Sequence, residues 1–218
     1  MKKRLIIAFA LLLLFSTYKP QKLNLTNKLK IKKIKIENNF LLEDQLIKKD
    51  LNSLYDTNLF LLRNTIIEDS LKKNDFIKGF EVKKIYPDIL KIKIYEKKPI
   101  AILQNKKKKF YIDENLTLIN YIDLNLLRDL PIVFGDKDNF KILYKKLKEI
   151  NFPLYLVEKF YWYESKRWDI EIYQNKIIKL PVDNYNQSLI HFIALIKQNN
   201  FDEFEIFDYR IKNQIILK

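Results

Sequence analysis

Hydrophobic and polar positions divide the chain into three stretches with different periods. Residues 5–18, LIIAFALLLLFSTY, are apolar except for Ser16, Thr17 and the Tyr18 hydroxyl, behind a basic start at Lys2, Lys3 and Arg4. As a helix rising ~1.5 Å per residue they extend roughly 21 Å, short of a hydrocarbon core of about 30 Å, so their length fits a secretory h-region as well as an anchor. No small-residue pair of the cleavable kind follows, and Lys19 with the leading cations can snorkel. The expectation is an uncleaved membrane anchor over 5–18, with 1–4 cytoplasmic and 19–30 a polar tether. A long following domain translocates largely regardless of its charge, which puts the bulk of the chain outside the cytoplasm.

From residue 31 the period changes. IKKIKIEN places Ile34 and Ile36 on one face of a strand. Leu42, Leu46, Ile47, Leu51 and Leu54 recur at helical spacing, predicting a helix over 42–54. TNLFLL is a link whose apolar residues are expected to plug the core. Thr65 with Glu68 forms a capping-box pattern opening a second helix, Ile67 and Leu71 inward. FIKGFEVKKIYP and DILKIKIYE are two strands meeting at Pro87-Asp88, with Leu90, Ile92 and Ile94 on one face. Residues 31–96 thus read β-α-α-β-β, two helices on one face of a three-stranded sheet.

Residues 97–218 read as a mostly antiparallel β domain with flanking helices. Strand signals recur at IAILQN, KFYID, LTLINY, VEKFYWYE, RWDIEIY and KIIKLP. NFKILYKKLKEI aligns Phe140, Leu143, Leu147 and Ile150 on one helical face, and SLIHFIALIKQ, apolar around most of its circumference, is expected to be well buried. The chain stops on DYRIKNQIILK, either one long strand or a turn near Lys212-Asn213 followed by a short strand over 214–218. In both cases its inner side is expected to pair with FEIFDY, leaving the outer side open. The fold class is α+β.

Composition narrows the chemistry. The formal charge of +14 invites a polyanion partner, yet the lysines alternate with isoleucine along predicted strands, as on the solvent face of a one-sided sheet. No nucleic-acid partner is expected, and residues 106–109 read as a hairpin tip; the polyanion that the charge would suit is an anionic membrane lipid or cell-wall surface. With no Cys, thiol chemistry and disulfides are excluded, and with only 2 Gly, positive-φ turns are expected to fall to Asn. His191, the single histidine, lies in the apolar helix and reads as a core or boundary residue. Glu43-Asp44, Asp113-Glu114 and Asp202-Glu203 sit at helix starts or turns, where carboxylates serve dipoles and turn chemistry. No cofactor is implied and the chain does not read as an enzyme. In FYWYESKRW, alternation puts Phe160 and Trp162 on one face and Tyr161 and Tyr163 on the other, with Trp168 structural.

Two longer patterns are specific. VKKIYPDILKIKIYEKKPIA, with its Tyr86-Pro87 turn, Glu96 and the Pro99-Ile100-Ala101 exit, resembles the POTRA domain of the bacterial division family FtsQ, called DivIB in some lineages. LPIVFGD, RWDIEIYQNKIIKLP and FDYRIKNQIILK resemble that family's β domain. The resemblance implies a single-pass scaffold of the inner membrane at the division septum, its mass periplasmic. It implies FtsB-like and FtsL-like partners at the last strand, joined by strand addition, and other divisome membrane proteins at the POTRA domain. On this basis Arg210 faces an acidic group of the partner. Ile211, Asn213, Gln214, Ile215, Ile216 and Leu217 belong to the receiving strand, and Lys166 and Arg167 offer a second acidic contact. The competing class is a POTRA-type chaperone or transport module, which usually carries repeated modules or a barrel. Two departures from the family pattern are the very short cytoplasmic segment and turn glycines replaced by Glu or Asn.

Overall fold

The computed structural model describes residues 2–17, 29–106, 108–198, 203–212 and 214–218. It begins with helix α1, Lys2–Thr17. Its 16 residues extend about 24 Å, and among the described residues no helix is long and apolar enough to cross a membrane. The expected anchor is therefore present as a helix but falls short of a span by its own length; Tyr18 and residues 19–28 of the expected tether lie outside the described residues. The chain divides into two compact units, residues 1–38, 44–73 and 80–94 forming the first and 39–43, 74–79 and 95–218 the second.

Alternating Lys and Ile make β1, Lys33–Glu37, with Ile34 buried and the lysines at 33 and 35 exposed. Helices α2, Asp44–Asp50, and α3, Asn64–Leu71, follow, then β2, Ile77–Ile85, and β3, Ile89–Glu96. The sheet order is β1-β3-β2, with β1 parallel to β3 and Ile34 opposite Leu90. Ile47, Leu51, Leu54, Ile67, Leu90, Ile92 and Ile94 are fully buried as predicted, whereas Leu46, placed by its spacing on the same helical face, is 43% exposed.

Three local expectations are corrected. The first helix starts at Asp44 and gives way to a 3-10 turn at Asn52–Leu54. The Glu96 carboxylate accepts the N–H groups of Phe40, Leu41 and Leu42, each at 2.9 Å, and so holds residues 40–42 out of the helix. Helix α3 starts before Thr65, with Arg63 as an N-cap that makes no side-chain bond, and Glu68 pairs instead with Lys72 at 2.9 Å. The link at 58–62 is only half a plug: Leu59 and Leu62 are buried, whereas Phe60 and Leu61 are 65% and 67% exposed.

The second unit is one nine-stranded sheet. Its strands are β4, Pro99–Asn105; β5, Lys108–Asp113; β6, Leu118–Asn120; β7, Ile132–Phe134; β8, Val157–Tyr163; β9, Arg167–Ile172; β10, Lys176–Lys179; β11, Ile206–Asp208; and β12, Ile216–Leu217. Their order is β12-β11-β10-β9-β8-β7-β4-β5-β6. Junctions β4/β7, β7/β8 and β10/β11 are parallel and the others antiparallel, in keeping with a mostly antiparallel sheet. One transverse row, Phe110, Leu103, Val133, Phe160, Ile170, Ile178, Phe207 and Leu217, runs in register across eight strands into the core.

Helix α4, Lys137–Glu149, adds Phe140, Leu143 and Leu147 to that core, and α5, Tyr185–Leu195, adds Leu189 and Phe192. The Asp136 side chain caps α4 by accepting the N–H groups of Asp138 and Asn139. Burial opposes its ionisation, but these bonds, with that from the Asn139 amide, hold its carboxyl below the usual range. Helix α5 is less buried than its composition predicts. It packs Phe192 edge-on against Phe207 at 5.1 Å, while Ile190 on another face is 54% exposed.

Among the described residues, Asn38, Asp56, Lys106, Leu116, Asn151, Lys166, Gln174, Asn175 and Asn184 have positive φ and neither glycine does. Asn takes four of these turns rather than all of them. Gly135 serves close approach instead: a Cβ there would lie 2.7 Å from the Cβ of Trp162.

Candidate functional site

The residues that sequence patterns single out fall along β9 to β12 and the turns beside them: Arg167 in β9, Ile216 and Leu217 in β12, and Lys166, Arg210, Ile211, Gln214 and Ile215 in the adjoining turns and loops. An i, i+2 spacing on a strand returns a side chain to the same face, and both R-x-D and D-x-R occur here, as Arg167-Trp168-Asp169 and Asp208-Tyr209-Arg210. Register does the rest. Lys179 of β10 lies directly between Asp169 of β9 and Asp208 of β11.

Each arginine is seated on its own aspartate. Arg167 donates from NH1 to Asp169 Oδ1 at 2.6 Å and lies over the Tyr163 ring, 4.3 Å from its centroid. Arg210 donates from Nε to Asp208 Oδ1 at 2.8 Å and from NH2 to Oδ2 at 2.5 Å. The Asp208 side chain is 12% exposed and that of Arg210 45%, so the carboxylate forms a largely buried seat and the guanidinium stays accessible. Arg210 is thus fork-paired within the sheet, a strong planar geometry that fixes its direction.

The two aspartates titrate in opposite directions. The Arg210 hydrogen bonds pull the Asp208 carboxyl below its ordinary value, outweighing burial. Burial pushes the Asp169 carboxyl up despite Arg167, Lys179 and Arg210 nearby. For Asp208, a folded pKa below the unfolded value of about 3.9 means stability that is present above that value and lost as pH falls through the folded pKa. Replacing Asp208 with Asn should therefore flatten the acid limb of a stability-versus-pH curve below about pH 4, as read by urea unfolding at stepped pH. An unchanged limb would show that the Arg210 seat contributes nothing.

Beyond Arg210 the chain turns: Ile211 and Lys212 are exposed, and the Gln214 N–H donates to the Ile211 carbonyl at 3.2 Å. Asn213 lies outside the described residues. Strand β12 then returns antiparallel to β11, with Asp208 opposite Ile216 and Phe207 opposite Leu217. The inner side of the last strand pairs with the segment anticipated. Ile206 and Lys218 exchange both backbone bonds, at 3.0 and 3.1 Å. Antiparallel alternation then makes Asp208–Ile216 the next bonded pair and turns the N–H and C=O groups of Ile215 and Leu217 outward, to the unpaired edge. Ile215 and Leu217 pack their side chains on the core, while Ile216 is 37% exposed.

Lys166 sits apart from this edge, in the β8–β9 turn at φ 60°, bonded through its N–H to the Tyr163 carbonyl at 2.9 Å. Asp169, Lys179 and Asp208 were not anticipated as site residues; the paired i, i+2 spacing in R-W-D and D-Y-R was the available signal. His191 is an exposed boundary residue, its Nδ1 3.0 Å from the Tyr209 hydroxyl. Asp113 closes a turn, accepting from the Asn115 and Thr117 N–H groups at 3.0 and 2.7 Å.

Comparison with known proteins agrees with both halves. The FtsQ-type POTRA domain profile matches residues 29–97, and the profile of the C-terminal region of cell division protein FtsQ/DivIB matches residues 101–210, ending before the last strand. The cell division protein FtsQ of Rickettsia conorii is 28% identical over 193 residues, covering 87% of this chain and 72% of that protein. The FtsQ of Zymomonas mobilis is 25% identical over 150 residues, 66% of this chain and 48% of that protein. Among solved structures, the major extracytoplasmic domain of the division protein DivIB of Geobacillus stearothermophilus overlaps 46% of this chain and 91% of its own, at 16% identity and a TM-score of 0.33. With the second profile alone matching half of the residues, the chain belongs to the FtsQ/DivIB family of cell division proteins.

Proposed function

We propose that this protein is a membrane-anchored scaffold of the division septum that receives a strand of an FtsB-like partner, with its FtsL-like companion, along the outer edge of β12. The observation that carries the reading is that open edge: two outward-facing backbone positions, Ile215 and Leu217, next to an accessible arginine held in a fixed direction by Asp208. Strand addition needs such unpaired N–H and C=O groups, and a partner carboxylate adds register by meeting Arg210. Arg167, held on Asp169 by a single bond two strands over, supplies a second cation, with Lys166 in the adjoining turn. The POTRA unit meets other divisome membrane proteins, the boundary to the β domain falling at residues 96–97. Helix α1 holds the chain in the inner membrane, with the N-terminus cytoplasmic and the two units periplasmic.

The alternation of the ladder selects the test. Proline at Ile216 removes an inward N–H and damages the sheet itself, whereas proline at Leu217 removes an outward N–H and leaves the inner ladder in place. In a pulldown of the full chain with the partner's periplasmic segment, Leu217→Ala, which gives up the core side chain but keeps the outward N–H, should retain capture, whereas Leu217→Pro, checked for folding by its thermal transition, should abolish it. Undiminished capture by a folded Leu217→Pro variant would sink the strand-addition reading.

A further inference from the structure

The turn at residues 58–62 holds two large apolar side chains in water, and the surrounding bonds keep them there. The Asn58 Oδ1 accepts the N–H groups of Phe60 and Leu61, at 2.9 and 3.2 Å. The Lys84 ammonium donates to the carbonyls of Phe60 and Leu62, at 3.2 and 2.6 Å. With its neighbours Leu59 and Leu62 buried, the turn is fixed at both ends, and Phe60 and Leu61 project with about two thirds of their surface exposed. Single exposed apolar residues are ordinary; a pinned adjacent pair is not.

Its position in the first unit gives it a partner. The Leu59 N–H donates to the Leu29 carbonyl at 2.7 Å, Lys30 bridges to Asn58, and the Ile31 N–H donates to the Thr57 carbonyl at 3.0 Å. The turn is therefore paired directly with the residues through which the chain from α1 joins the unit. The β2–β3 turn lies at the same end, since the Lys32 and Lys33 N–H groups donate to the Asp88 carbonyl at 2.9 and 3.2 Å. It brings Tyr86, 52% exposed. These backbone contacts bring Lys30, Lys32 and Lys33 to the same end, with Lys84 bonded to the turn and Arg63 next to it in sequence. Of the acidic residues there, Asp56 and Asp88, the latter lies 4.0 Å from the Lys32 ammonium. Apolar and aromatic tips ringed by cations are the chemistry of an anionic bilayer interface. Residues 18–28 separate α1 from this end, a reach of at most about 40 Å at ~3.6 Å per residue, so a surface holding α1 stays within range.

We propose that this end of the first unit docks on the anionic lipid surface that holds α1, with Phe60 and Leu61 inserted among the headgroups. The inference rests on the reading of α1 as the anchor. Docking of this kind turns the β2–β3 end of the POTRA sheet to the membrane and leaves its edge strands, β1 and β2, to proteins.

The absence of cysteine makes the test direct. The full chain is reconstituted in vesicles of phosphatidylethanolamine and phosphatidylglycerol with a nitroxide on a single introduced cysteine, Leu61→Cys, or Tyr155→Cys as the aqueous reference, since Tyr155 is 87% exposed in the second unit. Spin-label accessibility to oxygen relative to a water-soluble nickel complex should be several-fold higher at 61 than at 155, and should fall toward the aqueous value at 61 when Phe60→Asp is added. Flotation of the vesicles after alkaline washing reports the anchor separately. A chain that fails to float overturns the anchor reading and this inference with it. A chain that floats with the label at 61 as aqueous as that at 155 overturns the docking alone, and assigns the apolar turn to a protein partner.

Discussion

Gly135→Val is expected to unfold the β domain under conditions where the parent is folded. The Cβ that any substitution adds at 135 meets the Cβ of Trp162 at 2.7 Å, with Trp162 Cγ and the outer ring of Trp168 each 3.5 Å away. A Cβ is fixed by the backbone, so relief requires β7 or β8 to move, and those strands are paired in register at Val133–Phe160 and Phe134–Tyr161. The indoles themselves are 5.0 Å apart, and Trp168 packs edge-on to Phe160 and Phe140 in the core. Overpacking typically costs about 1–3 kcal/mol, and a branched side chain at a backbone-limited contact falls at or above the top of that range, a large part of the ~5–15 kcal/mol a domain has. Gly135→Ala should lose about 1–3 kcal/mol in urea unfolding followed by tryptophan fluorescence, which reports this site because both tryptophans of the chain are in it. Gly79→Ala is the control: nothing lies within 4 Å of its Cβ position. Equal stability of the two alanine variants would contradict the packing described.

Arg210→Glu carries the largest expected effect on partner binding. The cluster of Arg167, Asp169, Lys179, Asp208 and Arg210 changes from a formal +1 to −1, and the new carboxylate faces Asp208. On the strand-addition reading an acidic partner group then meets repulsion where it had a directed guanidinium. Losing one member of such a pair costs about 2–5 kcal/mol, roughly 30-fold to several thousand-fold in affinity. Arg210→Lys separates charge from geometry: it keeps the cation but not the fork that Asp208 orients, and should fall between parent and Glu variant. Calorimetric titration with the partner's periplasmic segment measures both. Affinity within a few-fold of the parent for the Glu variant would make Arg210 an internal ion pair and no more.

Much of the architecture is legible in the period of the chain, because burial on a sheet is a matter of alternation. Leu90, Ile92 and Ile94, or Phe160 against Tyr161, had their faces settled by spacing alone. What escaped depends on partners distant in sequence. Nothing near residue 42 announces that Glu96 will take three of its neighbours' N–H groups and delay a helix. Nothing in TNLFLL says that a lysine 22 residues on will hold half of it outside the core. Helix α5 misled because apolar composition was taken for burial, when only the Leu189–Phe192 side meets the sheet. The residues proposed for docking were legible as a strand and as D-x-R. Their electrostatic setting was not, since it comes from register: Lys179 stands between two aspartates only because β9, β10 and β11 align there.

The left-handed turns have a consequence for how the sequence can vary. A glycine at positive φ is a position where almost every mutation is penalised, because a Cβ is tolerated poorly there. Among the described residues, nine such positions from Asn38 to Asn184 already carry side chains, including the bulky Leu116. Whatever strain Lys106, Leu116, Lys166 and Gln174 carry is present in the parent, so exchanging one side chain without β-branching for another at those four adds little, while the Asn and Asp positions keep a preference for residues that tolerate the left-handed region. Intolerance is concentrated elsewhere, at the single close approach of Gly135 to Trp162. Relatives can thus diverge in loop composition while the spacing between β7 and β8 stays fixed.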